Sequence, residues 1–325
     1  MIRALLHTDG QLRELDITEA SAIARRAEEG VTLWVDIQSE DEESARRLLQ
    51  DDFGFHYLAV DDCFNRRVDV PKVDDYDDHI FIVAQRLAYD APNDELIPAE
   101  LNLFLGKNYV VSYHDTPFPE LDQVQHRILE GLHGVERGAD FMARTVLDVV
   151  VDEYPPAVEG MEEDADQLED LILSNPSPEC LERARRLRAN GARLRRAVGP
   201  MSDILHRITR GEFPKVVSER NQIFFRDVYD HVVRVQEMAT VIREQAELAQ
   251  SSYLSVTNNR LNEAMRVMAA VTVILTPLAV ITGVFGTNFR SGLGYGNSGG
   301  VAFLLVVMGL SAALTVAFLR WRRLL

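Results

Sequence analysis

Two long uncharged segments near the C-terminal end constrain the fold of this chain more than any other feature. Residues 267–289 form a run of 23 positions without a charge, and residues 291–319 form a second run of 29. About 20 apolar residues in a helix cross the hydrocarbon core of a bilayer. We therefore predict two transmembrane helices, at 267–289 and 301–320. Two core helices buried inside a soluble protein are the alternative.

Arginines at the ends of these segments predict their orientation. Arg260 and Arg266 precede the first span, a basic tail at 321–325 follows the second, and only Arg290 falls in the glycine-rich loop at 290–300. Because short cytoplasmic segments carry the excess of Lys and Arg, both termini are expected in the cytoplasm and the loop outside. The chain is thus predicted to be a multi-pass protein of the cell (inner) membrane.

The composition indicates which partners to expect. The chain carries 51 acidic and 34 basic residues, a formal net charge of −17. An acidic surface disfavours nucleic acid and favours cations as partners. Cys63 and Cys180 lie far apart, without a CxxC site or a disulfide framework, which is typical of a reducing compartment. Asp9 comes before any long apolar stretch, so no cleavable signal peptide is expected.

The first part of the chain alternates strand and helix patterns. Apolar runs predict strands at 2–8, 31–37, 79–89, 99–106 and 108–114. Helices are predicted at 18–30 and 39–54, with Thr18 and Ser39 as their N-caps. We interpret residues 1–135 as a cytoplasmic α/β domain.

The middle of the chain is predicted to be almost entirely helical. A strongly acidic segment and then a strongly basic one lie within 136–210, separated by a loop at 173–178. Opposite charges and a short loop predict an antiparallel helical hairpin. Its second helix has Ser177 as N-cap and Pro178 at the first helical position. Two independently solvated helices are the alternative.

One helix is predicted to lead from the cytosol into the membrane. Residues 212–282 contain no glycine, so an unbroken helix from about 216 to 285 is expected, of which 211–266 includes the stalk. Apolar residues at 4-3-4-3-4 spacing give this stalk a coiled-coil-type seam. The seam consists of Phe224, Val228, His231, Val235, Met238 and Ile242. We interpret His231 as a packed or inter-subunit histidine rather than a metal ligand.

Two spans per chain cannot easily enclose a hydrophilic path, so transport would require an oligomer, for which the seam supplies a reason.

Several motifs together resemble those of the CorA family of two-span divalent-cation channels and transporters. They are the entrance and first span at 258–289, "FRDVYDH" at 225–231 and "FLGKNYVVSYH" at 104–114. The family signature after the first span is Gly-Met-Asn, and here Thr287 replaces the methionine. The resemblance covers almost the whole chain in family order.

The resemblance implies an α+β membrane protein assembled as a homopentamer. It implies a cytoplasmic α/β domain, a funnel of long helices and two C-terminal transmembrane helices, the first lining a pore and the second forming an outer ring. The predicted segments are 1–135 (α/β domain), 136–210 (helical hairpin), 211–266 (stalk), 267–289 (first span), 290–300 (external loop), 301–320 (second span) and 321–325 (basic tail).

The resemblance also implies a selectivity filter of Gly286, Thr287 and Asn288. Mg²⁺ gives up its water reluctantly, so a ring of Asn288 amide oxygens with exposed carbonyls at Gly286 suits a hydrated dication. A Gly-Asn cap that ends the helix is the alternative.

Counting back from the filter predicts a pore-lining stripe on one face of the first span. Its members are Gly283, Ala279, Thr276, Thr272, Met268 and Met265. All except Thr272 also match pore-lining positions of the family. Met268 and Met265 would form an apolar constriction, which can gate by dewetting. The alternative is that the small residues pack helices together and the threonines bond back to the preceding turn.

A regulatory metal site between subunits is the last implication. Asp227 matches the family's acidic residue at that site, and Asp90 matches the opposing carboxylate. Two carboxylates facing each other repel unless a dication lies between them, so bound ions would hold subunits together and close the channel when internal Mg²⁺ is high. An ion pair of Asp227 with Arg226 or Arg220 of a neighbour is the alternative.

The identity of the ion stays open. Mg²⁺ is the first expectation, with Co²⁺ or Ni²⁺ as further cargo. Thr287 and the glycine-rich loop, which has Arg290 and no carboxylate, point instead to a zinc transporter of the ZntB type. A non-conducting, membrane-tethered ion sensor is a further alternative. The sequence contains no Gly-rich phosphate loop, nucleophile elbow or HExxH motif, so an enzyme is not predicted.

Overall fold

A computed structural model of the chain describes residues 1–26, 30–39, 41–65, 67–131, 134–286 and 298–322. The chain divides into two compact units, Met1–Gln250 and Ser251–Leu325. The division falls inside one long helix.

The first unit is built on a mixed sheet. Its strands are β1 Ile2–Thr8, β2 Gln11–Glu14, β3 Val31–Gln38, β4 Lys72–Asp75, β5 His79–Asp90, β6 Glu95–Gly106 and β7 Tyr109–His114. Among the described residues their order across the sheet is β2-β1-β3-β7-β6-β5-β4. β3 and β7 pair in parallel, and the other neighbours pair antiparallel. The five predicted strands are confirmed, and the short polar strands β2 and β4 were not predicted.

Both faces of the sheet are buried. Along β5, Ile80 and Ile82 enter one apolar core, while Phe81 and Val83 between them enter the other. A strand covered on both faces reads as a continuous apolar run rather than as an alternating one. This is why β5 was visible in the sequence.

Short helices cover one face of the sheet. They are α1 Ile17–Arg26, α2 Glu42–Arg47, which continues as a wider turn at Leu48–Asp52, and α3 Tyr57–Asp62. The predicted caps were each misplaced by about two residues. The Asp16 carboxylate accepts a hydrogen bond from the backbone amide of Thr18 at 2.9 Å, and the N-cap residue of α2 is Asp41, not Ser39.

Longer helices cover the opposite face. They are α4 Pro119–Leu129, α5 Ala139–Val151, α6 Tyr154–Ser174, α7 Pro178–Thr209 and the first part of α8 Glu219–Gly286. Ser177 is the N-cap of α7 and Pro178 its first residue, as predicted.

The acidic α6 and the basic α7 are held together by a partly buried ion-pair network. Arg183 on α7 donates to the carboxylate of Asp164 on α6, which is 7% exposed. Arg183 and Arg186 also pair with Asp94, which precedes β6, at 3.6 and 2.8 Å. The prediction of two oppositely charged helices that pack together is therefore confirmed, and the sheet takes part in their pairing.

The seam on α8 packs within its own chain. Val228, Val235 and Ile242 are at most 1% exposed and belong to the core that covers the sheet. The neighbouring row of Phe225, Val232 and Ala239 is equally buried. Phe224, His231 and Met238 are half-buried. We had interpreted the seam as a reason to form an oligomer. This was wrong for half of its residues, because they pack against apolar residues of their own chain.

The second unit contains the two predicted spans. The last part of α8 and helix α9, Ser298–Trp321, each hold an 18-residue stretch long and apolar enough to cross a membrane, with mean hydropathies of 2.3 and 2.5. Almost none of either stretch is buried in the chain, unlike the core helix of a soluble protein. Phe285 and Phe303 approach with ring centroids 6.4 Å apart.

Candidate ion pathway and ion-binding cluster

The predicted stripe forms one exposed face of α8. At 100° per residue, positions 265, 268, 272, 276, 279 and 283 fall within an arc of about 80°. All six residues are exposed in the chain, Met265 by 61% and Met268 by 70%. A Cβ added at Gly283 or Gly286 would meet nothing within 4 Å. The stripe is thus a narrow face with small residues toward the end of the helix and methionines toward its middle.

The threonines of the stripe direct their oxygen lone pairs outward. The Thr272 hydroxyl donates to the carbonyl of Met268 at 2.8 Å, and the Thr276 hydroxyl donates to the carbonyl of Thr272 at 2.7 Å. These are the back-bonds to the preceding turn that the sequence left as an alternative role. They do not compete with a role in a pathway, because a hydroxyl that donates inward keeps two acceptor lone pairs.

The filter lies partly outside the described residues. Gly286 is the last described residue of α8, while Thr287 and Asn288 fall beyond it. Pro277 is accommodated within the helix.

Asp227 has a cationic partner within its own chain. Arg144 on α5 lies 3.1 Å from the Asp227 carboxylate and 2.8 Å from the carboxylate of Asp148. Arg144 also donates from Nε to the carbonyl of Phe224 at 3.3 Å. The Asp227 side chain nevertheless stays 63% exposed. It therefore keeps an open side toward any further ligand.

Asp90 lies at the end of β5 and accepts a hydrogen bond from Asn93 at 2.7 Å. The structure thus places Asp90 and Asp227 on separate elements, each with a polar partner of its own.

A group with the chemistry of a cation site lies beside Asp227. Ligand atoms of Asp148, Asp152 and His231 lie within 4.8 Å of one another, and His231 Nδ1 is 3.8 Å from Asp152 Oδ1. We call these three residues the α5–α8 cluster. Two carboxylates and an imidazole are suitable ligands for a divalent metal ion.

The Asp148 carboxyl of the cluster has a raised pKa. Burial raises the pKa of the Asp148 carboxyl, and the charges of Asp152 and Asp227 raise it further, while Arg144 and His231 oppose the shift. A raised carboxyl pKa means that the ionised form is destabilised there. A dication would relieve this cost by pairing with the ionised form.

The sequence interpretation missed Asp148 and Asp152 and set His231 aside as a ligand. The available signal was a pair of i,i+4 repeats, Asp148/Asp152 on α5 and Asp227/His231 on α8. Such spacing places both members on one helix face. Only the packing of α5 against α8 shows that the two faces meet.

The family model of CorA-like Mg²⁺ transporter proteins matches residues 29–322. The chain belongs to the CorA-like family. The resemblance found in the sequence is thereby confirmed.

Relatives of this CorA-like chain extend over nearly its full length. It is 31% identical over 295 residues to the putative metal ion transporter YfjQ of Bacillus subtilis, covering 89% of the chain and 87% of the relative. It is 26% identical over 324 residues to the cobalt/magnesium transport protein CorA of Thermotoga maritima, covering 99% and 92%.

Solved structures share its fold. The complete structure of the CorA magnesium transporter from Methanocaldococcus jannaschii superposes with a TM-score of 0.82 at 19% identity, covering 98% of this chain and 97% of that one. Full-length CmaX superposes with a TM-score of 0.74 at 20% identity, covering 99% and 97%. At these identities the likeness concerns the fold alone.

Proposed function

We propose that this CorA-like protein conducts divalent metal cations across the cell (inner) membrane, with both termini in the cytoplasm. The observation that carries the proposal is the stripe on the first span, whose six uncharged and exposed residues share a narrow arc of one helix. A membrane anchor has no need of such a face. In the proposed pathway a hydrated ion passes the filter of Gly286, Thr287 and Asn288 and then the stripe down to Met265.

The pathway requires several copies of the chain. One stripe spans about a quarter of a helix circumference and cannot enclose an ion, so copies must surround an axis with their stripes facing inward. We take five as the number because the family resemblance implies a pentamer. The exposed apolar surfaces of the two spans supply area for contact with neighbours and lipid.

The α5–α8 cluster gives the proposal a gate. A dication bound by Asp148, Asp152 and His231, with Asp227 at its open side, would tie α5 to the pore-lining helix α8. Asp90 of a neighbouring copy would complete the site, as the family resemblance implies. Loss of the ion would leave an excess of negative charge around Arg144 and loosen α8. High internal Mg²⁺ would therefore favour the closed state.

Mg²⁺ is the proposed main cargo, with Co²⁺ and Ni²⁺ as further cargo. The relative named a cobalt/magnesium transport protein supports Mg²⁺ and Co²⁺ as cargo. Zn²⁺ transport of the ZntB type is the second candidate, supported by Thr287 in the signature. An ion sensor that does not conduct is the third.

The proposal is tested by ion flux into proteoliposomes with reporters for Mg²⁺, Co²⁺, Ni²⁺ and Zn²⁺, with and without a proton gradient. We expect Mg²⁺ influx that needs no proton gradient, and a single five-fold oligomer by native mass spectrometry of the same preparation. An oligomer without flux of any of the four ions would leave the sensor as the function. Monomers or dimers alone would contradict the pore.

The gate predicts that carboxylate loss weakens protection by Mg²⁺. In limited proteolysis of the full-length oligomer, Asp148→Asn and Asp227→Ala should each need about tenfold more Mg²⁺ for half-protection. One contact to a charged group contributes about 1.5–3 kcal/mol, and about 1.4 kcal/mol corresponds to a factor of ten. Burial raises the pKa of the Asp148 carboxyl. Because the protonated carboxyl does not bind the ion, protection of the parent by Mg²⁺ should also weaken as the pH falls.

The matched control for this experiment is Asp230→Ala, which removes an exposed carboxylate from the same helix. It should leave the Mg²⁺ requirement unchanged. If the two cluster variants are protected as well as the parent, the cluster does not bind the ion that stabilises the protein.

A further inference from the structure

One buried carboxylate ties the start of α8 to α5. Asp140, in the first turn of α5, is 7% exposed. Its Oδ2 accepts hydrogen bonds from the backbone amide and the hydroxyl of Ser218, at 2.9 and 2.6 Å. Its Oδ1 accepts from Asn221 Nδ2 at 2.7 Å and from the backbone amide of Phe141 at 2.9 Å. Two donors on each oxygen fill the roughly four acceptor positions of a carboxylate, so Asp140 binds protein groups rather than an ion.

The groups that Asp140 holds belong to the beginning of α8. Ser218 directly precedes the helix, and Asn221, which is 0% exposed, lies in its first turn. In a capping box, a side chain of the same helix accepts from the amide of the capping residue, whereas here that acceptor comes from another helix. Arg220 and Asn221 also donate to the carbonyl of Arg137, two residues before α5, at 2.8 and 3.3 Å. The start of α8 is thus fixed to the start of α5.

This tie is the first in a series of polar contacts along α5 and α8. In the next contact, Arg144 pairs with Asp227 at 3.1 Å. Beyond it, His231 Nδ1 lies 3.8 Å from Asp152 Oδ1 in the α5–α8 cluster. Residue numbers rise together on the two helices, so α5 and α8 run in the same direction. The cluster begins about two turns of α5, or about 12 Å, beyond Asp140.

The hydrogen bonds of Asp140 constrain α8 in a way that its apolar contacts do not. Burial of apolar surface is non-directional, so the packed face of α8 alone allows small rotations and small shifts along the helix axis. Hydrogen bonds weaken steeply when their angles change. A metal site must hold its ligands within about 0.5 Å of the productive geometry. Directional bonds therefore set the position of α8 that the cluster needs, and Asp140 makes those at the start of the helix.

We propose that Asp140 is a positioning residue for the α5–α8 cluster. It holds α8 in the register on α5 at which His231 and Asp227 meet the carboxylates of α5, and it does not contact the ion itself. This role rests on the proposed function, in which the cluster binds the regulatory ion. The affinity for that ion is then set partly by bonds at the start of α8, where Asn221 lies about 15 Å from His231 along the helix.

Asp140→Asn tests this role. An amide nitrogen would replace one carboxylate oxygen and face the donors of either Ser218 or Asn221, so half of the tie is lost. In hydrogen–deuterium exchange of the detergent-purified full-length protein, MgCl₂ should slow exchange in the peptide that contains Asp148 and Asp152, with NaCl of equal ionic strength as the reference. The MgCl₂ concentration at the midpoint of this slowing should rise about tenfold in Asp140→Asn, since loss of an outer partner lowers metal affinity about 10–100-fold.

A double variant distinguishes positioning from stability. Asp148→Asn removes a ligand and should raise the midpoint by itself. If Asp140 acts through the cluster, Asp140→Asn combined with Asp148→Asn should raise the midpoint by less than the product of the two single effects, because residues that act on one site are not additive. Fully multiplied effects would overturn the proposal. So would an Asp140→Asn variant that has a lower melting temperature and the midpoint of the parent, since Asp140 would then only cap α8.

Two further variants complete the test. Ser218→Ala removes one of the donors to Asp140 and keeps the backbone amide, so it should raise the midpoint by a smaller factor. Asp16→Asn, which changes the carboxylate that accepts the amide of Thr18 at the start of α1, is the matched control and should leave the midpoint unchanged. No change in Asp148→Asn would contradict the proposed gate together with this role. A change in Asp148→Asn without one in Asp140→Asn or Ser218→Ala would contradict this role alone.

Discussion

Asn288→Ala should reduce divalent-cation flux per oligomer by at least about tenfold, while the yield of oligomer stays near that of the parent. In the proposed filter, each copy of Asn288 presents an amide oxygen to the hydration shell of the ion. Hydrogen bonds with a charged partner contribute about 1.5–3 kcal/mol each, and several copies are lost together. Flux and thermal stability are to be measured on the same preparation.

Thr287→Met is the matched control, because it restores the family signature and keeps Asn288. It should leave transport intact and shift the preference toward Mg²⁺. If Asn288 only caps the helix, Asn288→Ala would instead lower the melting temperature and leave flux per folded oligomer unchanged. That result would end the filter hypothesis.

Asp164→Ala should destabilise the first unit by about 3 kcal/mol, because it leaves the half-buried Arg183 guanidinium with the longer contact to Asp94. Removing one partner of a buried ion pair costs about 3–5 kcal/mol, and the contact with Asp94 places the effect at the low end. For a unit of this size the melting temperature should fall by roughly 6–12 °C.

Asp170→Ala, which removes an exposed carboxylate from the same helix, is the control and should shift the melting temperature little. Calorimetry of the full chain in detergent is the measurement. Equal, small shifts for the two variants would show that the network between α6, α7 and the sheet contributes no net stability.

The elements that sequence reasoning found are those whose burial leaves a mark on composition. β5, β6 and β7 are covered on both faces and read as apolar runs. The missed strands β2 (Gln11–Glu14) and β4 (Lys72–Asp75) lie at the two edges of the described sheet. Each strand has four residues, most of them with polar side chains. An edge strand needs no apolar pattern, because backbone hydrogen bonds to its neighbouring strand hold it in the sheet.

The seam on α8 shows a different limit. Its spacing correctly predicted an apolar helix face. Periodicity does not encode whether that face packs on the same chain or on another, and Val228, Val235 and Ile242 pack on the same one. The α5–α8 cluster was missed for the same reason. Asp148 and Asp152 look like a solvated helix face until His231 is brought beside them by packing across 79 positions of sequence.

The stripe on the first span was derived almost entirely from the sequence, since a single helix face follows from spacing alone. The structure adds the direction of the Thr272 and Thr276 hydroxyl hydrogens, which composition does not specify.

That direction has a consequence for anions. In the described stripe both hydroxyl hydrogens are engaged by backbone carbonyls, the helical amides are occupied, and the other side chains are methionine, alanine and glycine, which offer no strong donor. A chloride ion in the proposed pathway would meet lone pairs and methyl groups, with nothing to replace the water it sheds. The proposed pathway would thus select cations over anions because its hydroxyl groups donate their hydrogens to carbonyls of the same helix. This selection would not need a negatively charged side chain along the stripe.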